Sequence, residues 1–287
     1  MGAFANQIVQ GILLGGLYAL FAMGLSLSVG VMRFVNIAHG DFIVLASFLL
    51  LSLTTALGIS PFLALLLILP FAFIAGFALQ RILLQRVTGA GVLPVILVTF
   101  GLSIIIQNGL LEAYGADTRK ISGGALETAT LTVGAGISIG VLPLLIFGTA
   151  IAMVTALDGL LYRTRIGAKI RAVTDDVAAA DLIGLPSARI YAIAMAIIFA
   201  TVAVAACFTA VRTNFDPAYG PSRLLIAFEA VVLGGLGSLW GTLAGGILLG
   251  VAQSIGAQFD AAWQMLAGHL LFLLVLVLRP QGLFPKS

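Results

Sequence analysis

Long apolar runs alternate with short polar clusters over the whole chain. The runs cover 6–31, 42–57, 62–80, 93–111, 137–162, 190–211 and 262–278. A helix needs about 20 apolar residues to cross a hydrocarbon core, so each run reads as a membrane helix. Gly58-Ile59-Ser60-Pro61 divides the second run from the third as a tight turn, because Gly ends a helix and Pro starts one. A further stretch, 224–257, is apolar but rich in glycine, and its middle reads Leu233-Gly234-Gly235-Leu236-Gly237-Ser238-Leu239-Trp240-Gly241. Glycine turns the backbone in little space, so this stretch is either a hairpin of two membrane helices or a re-entrant half-helix followed by a longer one. Gly241 with Gly245, and Gly246 with Gly250, have the four-residue spacing that lets helices approach closely. The pattern predicts an all-α polytopic membrane protein with roughly eight to nine transmembrane or re-entrant helices, arranged as a single transmembrane domain over 1–287.

Composition narrows the class. The chain is 61% hydrophobic and 9% charged, whereas soluble domains carry roughly 25% charged residues. Its partner is therefore a lipid bilayer. The net charge of +3 belongs to loops and implies no nucleic acid. Cys207 is the single cysteine, which excludes an intrachain disulfide. The start, Met1-Gly2-Ala3-Phe4-Ala5-Asn6, lacks the basic region of a cleaved signal peptide. Two histidines and one cysteine, scattered along the chain, supply no metal site. Ser103 and His269 have nothing to link them as nucleophile and base, so no catalytic residues and no cofactor are expected. No Gly-x-x-x-x-Gly-Lys-[Ser/Thr] loop occurs, so any nucleotide would be bound by another chain.

Positive charge orients the helices. Arg33, Arg81, Arg86, Arg163, Arg165, Lys169, Arg171, Arg189, Arg279 and Lys286 fall on one side, read as cytoplasmic. That leaves Arg119, Lys120, Arg212 and Arg223, of the 14 basic residues, outside. The N-terminus is then external and the C-terminus cytoplasmic, and 224–257 must enter and leave on the same side.

The first run ends in a polar break, Asn36-Ile37-Ala38-His39-Gly40-Asp41. Freed backbone groups survive in a membrane only inside protein or beside a water-filled path, which makes this break a candidate piece of a permeation route. The turn containing Gly234, Gly235 and Gly237, preceded by Glu229, is the matching break in the second half. Interrupted helices in both halves point to an internal, inverted repeat around a central path. His39 is either hydrogen-bonded structurally or a substrate ligand. Asp41 is either the N-cap of the next helix or part of the path, with Arg33, His39 and the freed N–H groups as its nearest partners. Glu229 either pairs with Arg223 or lines the path. His269 has no obvious partner and reads as structural.

The longest charged stretch is 163–189. Thr174 or Asp175 can cap a helix start, Ala178 to Ala180 favour helix, and Gly184 with Pro186 stops it. The expected result is one short free-standing helix exposing Val177, Leu182, Ile183 and Leu185. Such a helix either fits a groove on another protein or lies on its own membrane domain.

Four motifs in order carry a family resemblance. They are Asn36-Ile37-Ala38-His39-Gly40-Asp41-Phe42; Gly167-x-x-x-Arg171-Ala172 with the Ala-rich helix and Gly184; Phe228-Glu229-Ala230-Val231-Val232-Leu233-Gly234-Gly235-Leu236-Gly237-Ser238; and Arg279-Pro280-Gln281-Gly282-Leu283-Phe284. Together they resemble the LivH-type permease of branched-chain amino acid ABC importers over nearly the whole chain. The resemblance implies a permease subunit in a bacterial inner membrane. Its partners would be a LivM-type second permease, two ATP-binding subunits and a periplasmic solute-binding protein. Urea and short amides are also carried in this branch. The resemblance makes the 174–184 helix a coupling helix, with Gly167, Arg171, Asp175, Asp176, Val177, Leu182, Ile183 and Gly184 serving the ATPase contact. The binding protein would dock on the external loops, 112–136 and 212–223. The rival class is an ion-coupled secondary transporter or channel, which would bury more ionisable groups in mid-membrane.

Overall fold

The computed structural model describes residues 2–133 and 137–284. Lys286 and the 134–136 part of the loop fall outside the described residues. In chain order the elements are α1 (Gly2–Met32), α2 (His39–Leu57), α3 (Pro61–Ile82), α4 (Val92–Tyr114), α5 (Ala125–Thr128), β1 (Thr130–Val133), β2 (Ile137–Gly140), α6 (Val141–Arg163), α7 (Arg165–Asp175), α8 (Val177–Leu182), α9 (Ser187–Arg212), α10 (Gly220–Gly234), α11 (Leu239–Phe259) and α12 (Trp263–Leu278). Among the described residues seven helices are long and apolar enough to cross a membrane: α1, α2, α3, α4, α6, α9 and α11. The 15-residue α10 and the 16-residue α12 add to them. The protein is an all-α, multi-pass membrane protein.

Local chemistry sets the boundaries. Gly58, at φ 63°, closes α2 in the left-handed conformation, and its N–H donates to the Thr54 carbonyl. Ser60 then caps α3 with Pro61 at its first position. The core consists mainly of α1 and α9. By contrast α3, α4 and α12 turn rows of large apolar side chains outward, including Leu66, Phe71, Ile105 and Leu274. Lipid is the solvent that such faces require.

The chain order repeats in inverted sense. α1 runs to the end of the bundle that carries α7, where Thr174 Oγ1 donates to the Val31 carbonyl. The chain then climbs back inside, with Ser28 Oγ donating to the Phe34 carbonyl, and α2 starts within the bundle and leaves toward the opposite end. α9 begins next to α8 and runs to that opposite end. Residues 213–219 descend again, and α10 starts beside the beginning of α2 and leaves toward the α7 end. The following helix in each half crosses to the long helix of the other. α11 lies antiparallel on α1, with Gly11 beside Val251 and Gly30 beside Gly237. α3 lies antiparallel on α9, with Cys207 Sγ 3.6 Å from the Pro61 carbonyl oxygen and Gly76 against Met195 and Phe199.

Three expectations are corrected and one open alternative is resolved. The break matching 36–41 is 213–220, because it is there that α10 begins inside the bundle. The Gly234-to-Gly241 turn instead joins α10 to α11 at the α7 end. The stretch 224–257 takes its re-entrant form, a half-helix plus a full one. The 163–189 segment holds two helices, because Asp176 breaks the run at φ −149° and caps α8 by accepting from the Ala179 N–H at 3.0 Å. Residues 137–140 pair with β1 as a hairpin before α6 begins, since their alternating pattern suits a strand better than a helix turn.

Candidate functional site

The two broken helices meet at Gly40 and Gly220. A methyl group on Gly40 would overlap the Gly220 carbonyl oxygen, and one on Gly220 would overlap the Asp41 carboxylate. Only glycine allows so close an approach. The result is a crossing point inside the protein from which α2 and α10 diverge to opposite ends.

Each residue of the first break is fixed by identifiable bonds. Asn36 Oδ1 accepts from the Ala38 N–H at 3.0 Å, and the Asn36 carbonyl accepts from the His39 N–H at 3.1 Å. The freed Ile37 N–H donates to Thr99 Oγ1 at 3.3 Å. The His39 ring is buried, and its Nε2–H donates to the Phe21 carbonyl at 2.9 Å, which ties α2 to α1. Asp41 is also buried, at 1% exposure. It does not cap α2; the N-cap is Ala38, with no side-chain bond. Instead Gln107 Nε2 donates to Asp41 Oδ1 at 2.9 Å and to Ser103 Oγ at 3.0 Å. The second carboxylate oxygen, Oδ2, has no hydrogen-bond partner among the described residues. Beside this cluster lies a cavity of about 190 Å³ lined by Gln107, Asn108, Leu111, Ala116, Asp216, Pro217 and Ala218.

The second break is held by cation and aromatic contacts. Phe215 exchanges two backbone hydrogen bonds with Arg119, at 2.7 and 2.9 Å, and packs edge-on against Phe48. Arg223 was expected in an external loop; it is buried in α10 at 6% exposure. Its Nη2 donates to Thr213 Oγ1 at 3.0 Å, and its guanidinium lies over the Phe21 and Tyr219 rings. It does not pair with Glu229. The carboxylate of Glu229 lies 2.5 Å from His269 Nδ1 on α12. His269 thus has a partner after all. The two halves share a device: a buried carboxylate on the broken helix binds a side chain of the outermost helix, Asp41 with Gln107 of α4 and Glu229 with His269 of α12.

The remaining glycine positions gather at the α7 end. Gly234 packs on Gly241, and Gly237, at φ 78°, packs on Gly30. Gly235, at φ 103°, meets Gly282 of the C-terminal motif. The last carbonyls of α10 are satisfied there, because the Leu283 N–H donates to Leu233 O at 2.9 Å and the Phe284 N–H to Gly234 O at 3.1 Å. Two of the four sequence motifs therefore form one structural unit. Glu229 and these glycines lie at the α7 end of α10, away from the crossing; Glu229 is nine residues beyond Gly220, about 13 Å along the helix.

The α7–α8 residues divide by environment. Gly167 is buried, and any side chain on it would overlap the Leu160 and Leu161 carbonyls, so its role is to seat α7 on α6. Arg171 lies over the Tyr162 ring, 5.0 Å from its centre. Arg171 and Asp175 share a cavity of about 150 Å³ with Ser26, Gly30 and Gly237, which joins α7 to the α10–α11 turn. Asp175, Asp176 and Gly184 are exposed. Val177, Leu182 and Ile183 are exposed at 40%, 88% and 75%, while Leu185 is half-buried.

Sequence reasoning passed over Gln107 and Thr99, and weighed Ser103 only as a nucleophile. Their signal was available: they occupy every fourth position of an otherwise apolar helix, the spacing of a single polar face. Gly220 carried no comparable signal, since its role depends on a contact with the other half. Among the described residues no group of three or more His, Cys, Asp or Glu is placed to hold a metal ion.

A model of the branched-chain amino acid transport system permease component family matches residues 7–278. The chain is 29% identical to the high-affinity branched-chain amino acid transport system permease protein BraD of Pseudomonas aeruginosa, covering 99% of this chain and 96% of the relative. It is 26% identical to LivH of Escherichia coli K12, with the same coverage. It is also 31% identical over 131 residues to LivM of Escherichia coli K12, covering 44% of this chain and 30% of that protein. No solved structure matches. The chain belongs to the family of permease components of branched-chain amino acid transport systems, whose members are membrane permeases of ABC transporters rather than enzymes.

Proposed function

We propose that this chain is one permease domain, 1–287, that imports branched-chain amino acids, or related small polar solutes, across a bacterial inner membrane by ATP-driven alternating access. Its partners are a LivM-type second permease, two ATP-binding subunits and a periplasmic solute-binding protein. The N-terminus is outside and the C-terminus cytoplasmic, so that the α7–α8 end, with most of the basic residues, faces the cytoplasm. Asn36, His39, Gly40 and Asp41 form the first part of the path. The 213–220 break forms the second part, and Glu229 with the Gly234, Gly235 and Gly237 turn moves with α10 at its α7 end. Gly167 seats the coupling segment, Arg171 and Asp175 relay its motion, and Asp176 to Gly184 form the contact with the ATP-binding chain.

The observation that carries this reading is the apolar tip of α8. Leu182 and Ile183 are 88% and 75% exposed on a charged segment outside the membrane helices. Exposed aliphatic groups there suit a protein groove. Replacing both residues, Leu182→Glu with Ile183→Glu, should abolish co-purification of the ATP-binding subunit while the second permease stays attached. Retention of the ATP-binding subunit would overturn the coupling assignment. Replacement of Arg171 or Asp175 should leave assembly intact but uncouple ATP hydrolysis from uptake.

A further inference from the structure

We propose that Asp41, Ser103 and Gln107 form a transient binding station for the ammonium group of the transported solute, with the Gln107 amide as its resident latch. The proposal rests on the permease reading above. Asp41 is buried where α2 and α10 cross, and no cation is bonded to it among the described residues. Its Oδ2 has no hydrogen-bond partner among the described residues. A lone carboxylate at such a place is costly unless something charged or hydrogen-bonding joins it.

The donor now present is a single –NH₂ group. Gln107 Nε2 gives its two hydrogens to Asp41 Oδ1, at 2.9 Å, and Ser103 Oγ, at 3.0 Å. A primary ammonium presents three N–H donors from one nitrogen. At the same point it would satisfy the same two acceptors, and its third hydrogen would be free for the unpartnered Oδ2. It would also supply the positive charge that the amide lacks. Gln107 also lines the neighbouring cavity of about 190 Å³. A liquid water occupies about 30 Å³, so this space holds a small solute. Leu111, Pro217 and Ala218 give one wall an apolar surface that suits an aliphatic side chain. Binding is weak by construction, since the amide competes for the acceptors and takes them back when the solute leaves. Weak, competed binding permits release on the far side.

The test uses the whole transporter, with both permeases, the ATP-binding subunits and the solute-binding protein, in proteoliposomes. The probe is radiolabelled leucine. Asp41→Asn removes the charge and keeps the shape; uptake should fall at least tenfold while all subunits still co-purify. Gln107→Lys tethers an ammonium to the same acceptors; it should also lower uptake at least tenfold, as a built-in occupant. If the Asp41–Gln107 bond only holds α4 in place, the lysine strengthens it and uptake stays at the wild-type rate, which overturns the proposal. Wild-type uptake by Asp41→Asn overturns it too. Should Asp41→Asn fail to assemble, Gln107→Lys alone decides. Wild-type vesicles that show no ATP-driven uptake would instead reject the permease reading on which the station depends.

Discussion

Gly15→Ala at the α1–α11 contact tests the packing that holds the inverted halves together. Four glycines line this contact, Gly11 and Gly15 on α1 facing Gly246 and Gly250 on α11. A methyl group on Gly15 would overlap the Ile247 Cα most closely and would lie 2.6 Å from the Gly246 carbonyl oxygen and 2.8 Å from the Ile247 nitrogen, whereas ordinary contact begins at 3.4 Å. All three neighbours are backbone, so the helices must separate by about 1 Å; overpacking of this kind costs ~1–3 kcal/mol, and immovable neighbours place it at the upper end. Replacing glycine by alanine inside a helix returns about 0.5–1 kcal/mol. The net loss is therefore about 2 kcal/mol, and at roughly 2–4 °C per kcal/mol the unfolding midpoint should drop by ~4–8 °C. The chain carries its own reporter. Cys207 is the only thiol and is fully buried in α9, so a thiol-reactive dye labels it only as the bundle opens. Gly148→Ala on α6 is the control, because a methyl group there meets nothing within 4 Å. It should leave the midpoint unchanged or raise it. Equal midpoints for the two variants would refute the close-contact argument.

Two further outcomes are expected. His269→Ala strips the Glu229 carboxylate, itself 2% exposed, of its donor. Breaking a buried pair costs about 3–5 kcal/mol, and the one-third exposure of His269 places this case at about 3. The double variant with Glu229→Ala should recover part of the loss in the same dye assay; strictly additive losses would show that the two side chains do not interact. At the opposite end, the Lys120 ammonium beside Glu127, aided by the Gly123 N–H, holds the Glu127 carboxyl below its usual range. A lowered folded value means that the contribution is complete at neutral pH and is lost as pH falls through that value. Hydrogen-exchange protection of the Gly123 amide, corrected for intrinsic rate, should therefore fall on acidification and be unchanged between pH 6 and 8; protection independent of acid would exclude the interaction.

The fold was legible wherever hydrophobic run length decided the outcome. The spans 6–31, 62–80, 93–111 and 190–211 each lie within helices α1, α3, α4 and α9. Local chemistry also carried over: Gly58, Pro61 and Gly184 act at the boundaries where their backbone preferences place them. What sequence alone did not reveal depends on contacts between distant segments. The glycine-rich turn after Glu229 looked like the partner of the Asn36 break, yet its residues Gly234, Gly235 and Gly237 serve a turn closed by the C-terminal motif. The true counterpart, 213–220, is an ordinary polar connection until Gly220 is seen against Gly40. Asp41 had no way to announce Gln107, which is 66 positions further along the chain. Glu229 and His269 are 40 apart, and Arg223, closer in sequence, finds its partners elsewhere.

The most direct measurement is solute accumulation by the complete transporter in sealed vesicles. Labelled leucine, presented with the loaded binding protein, should accumulate only when ATP is supplied on the side that carries α7 and α8. Equal accumulation without ATP, or by the permease chains alone, would contradict the account and identify a passive or ion-coupled carrier instead.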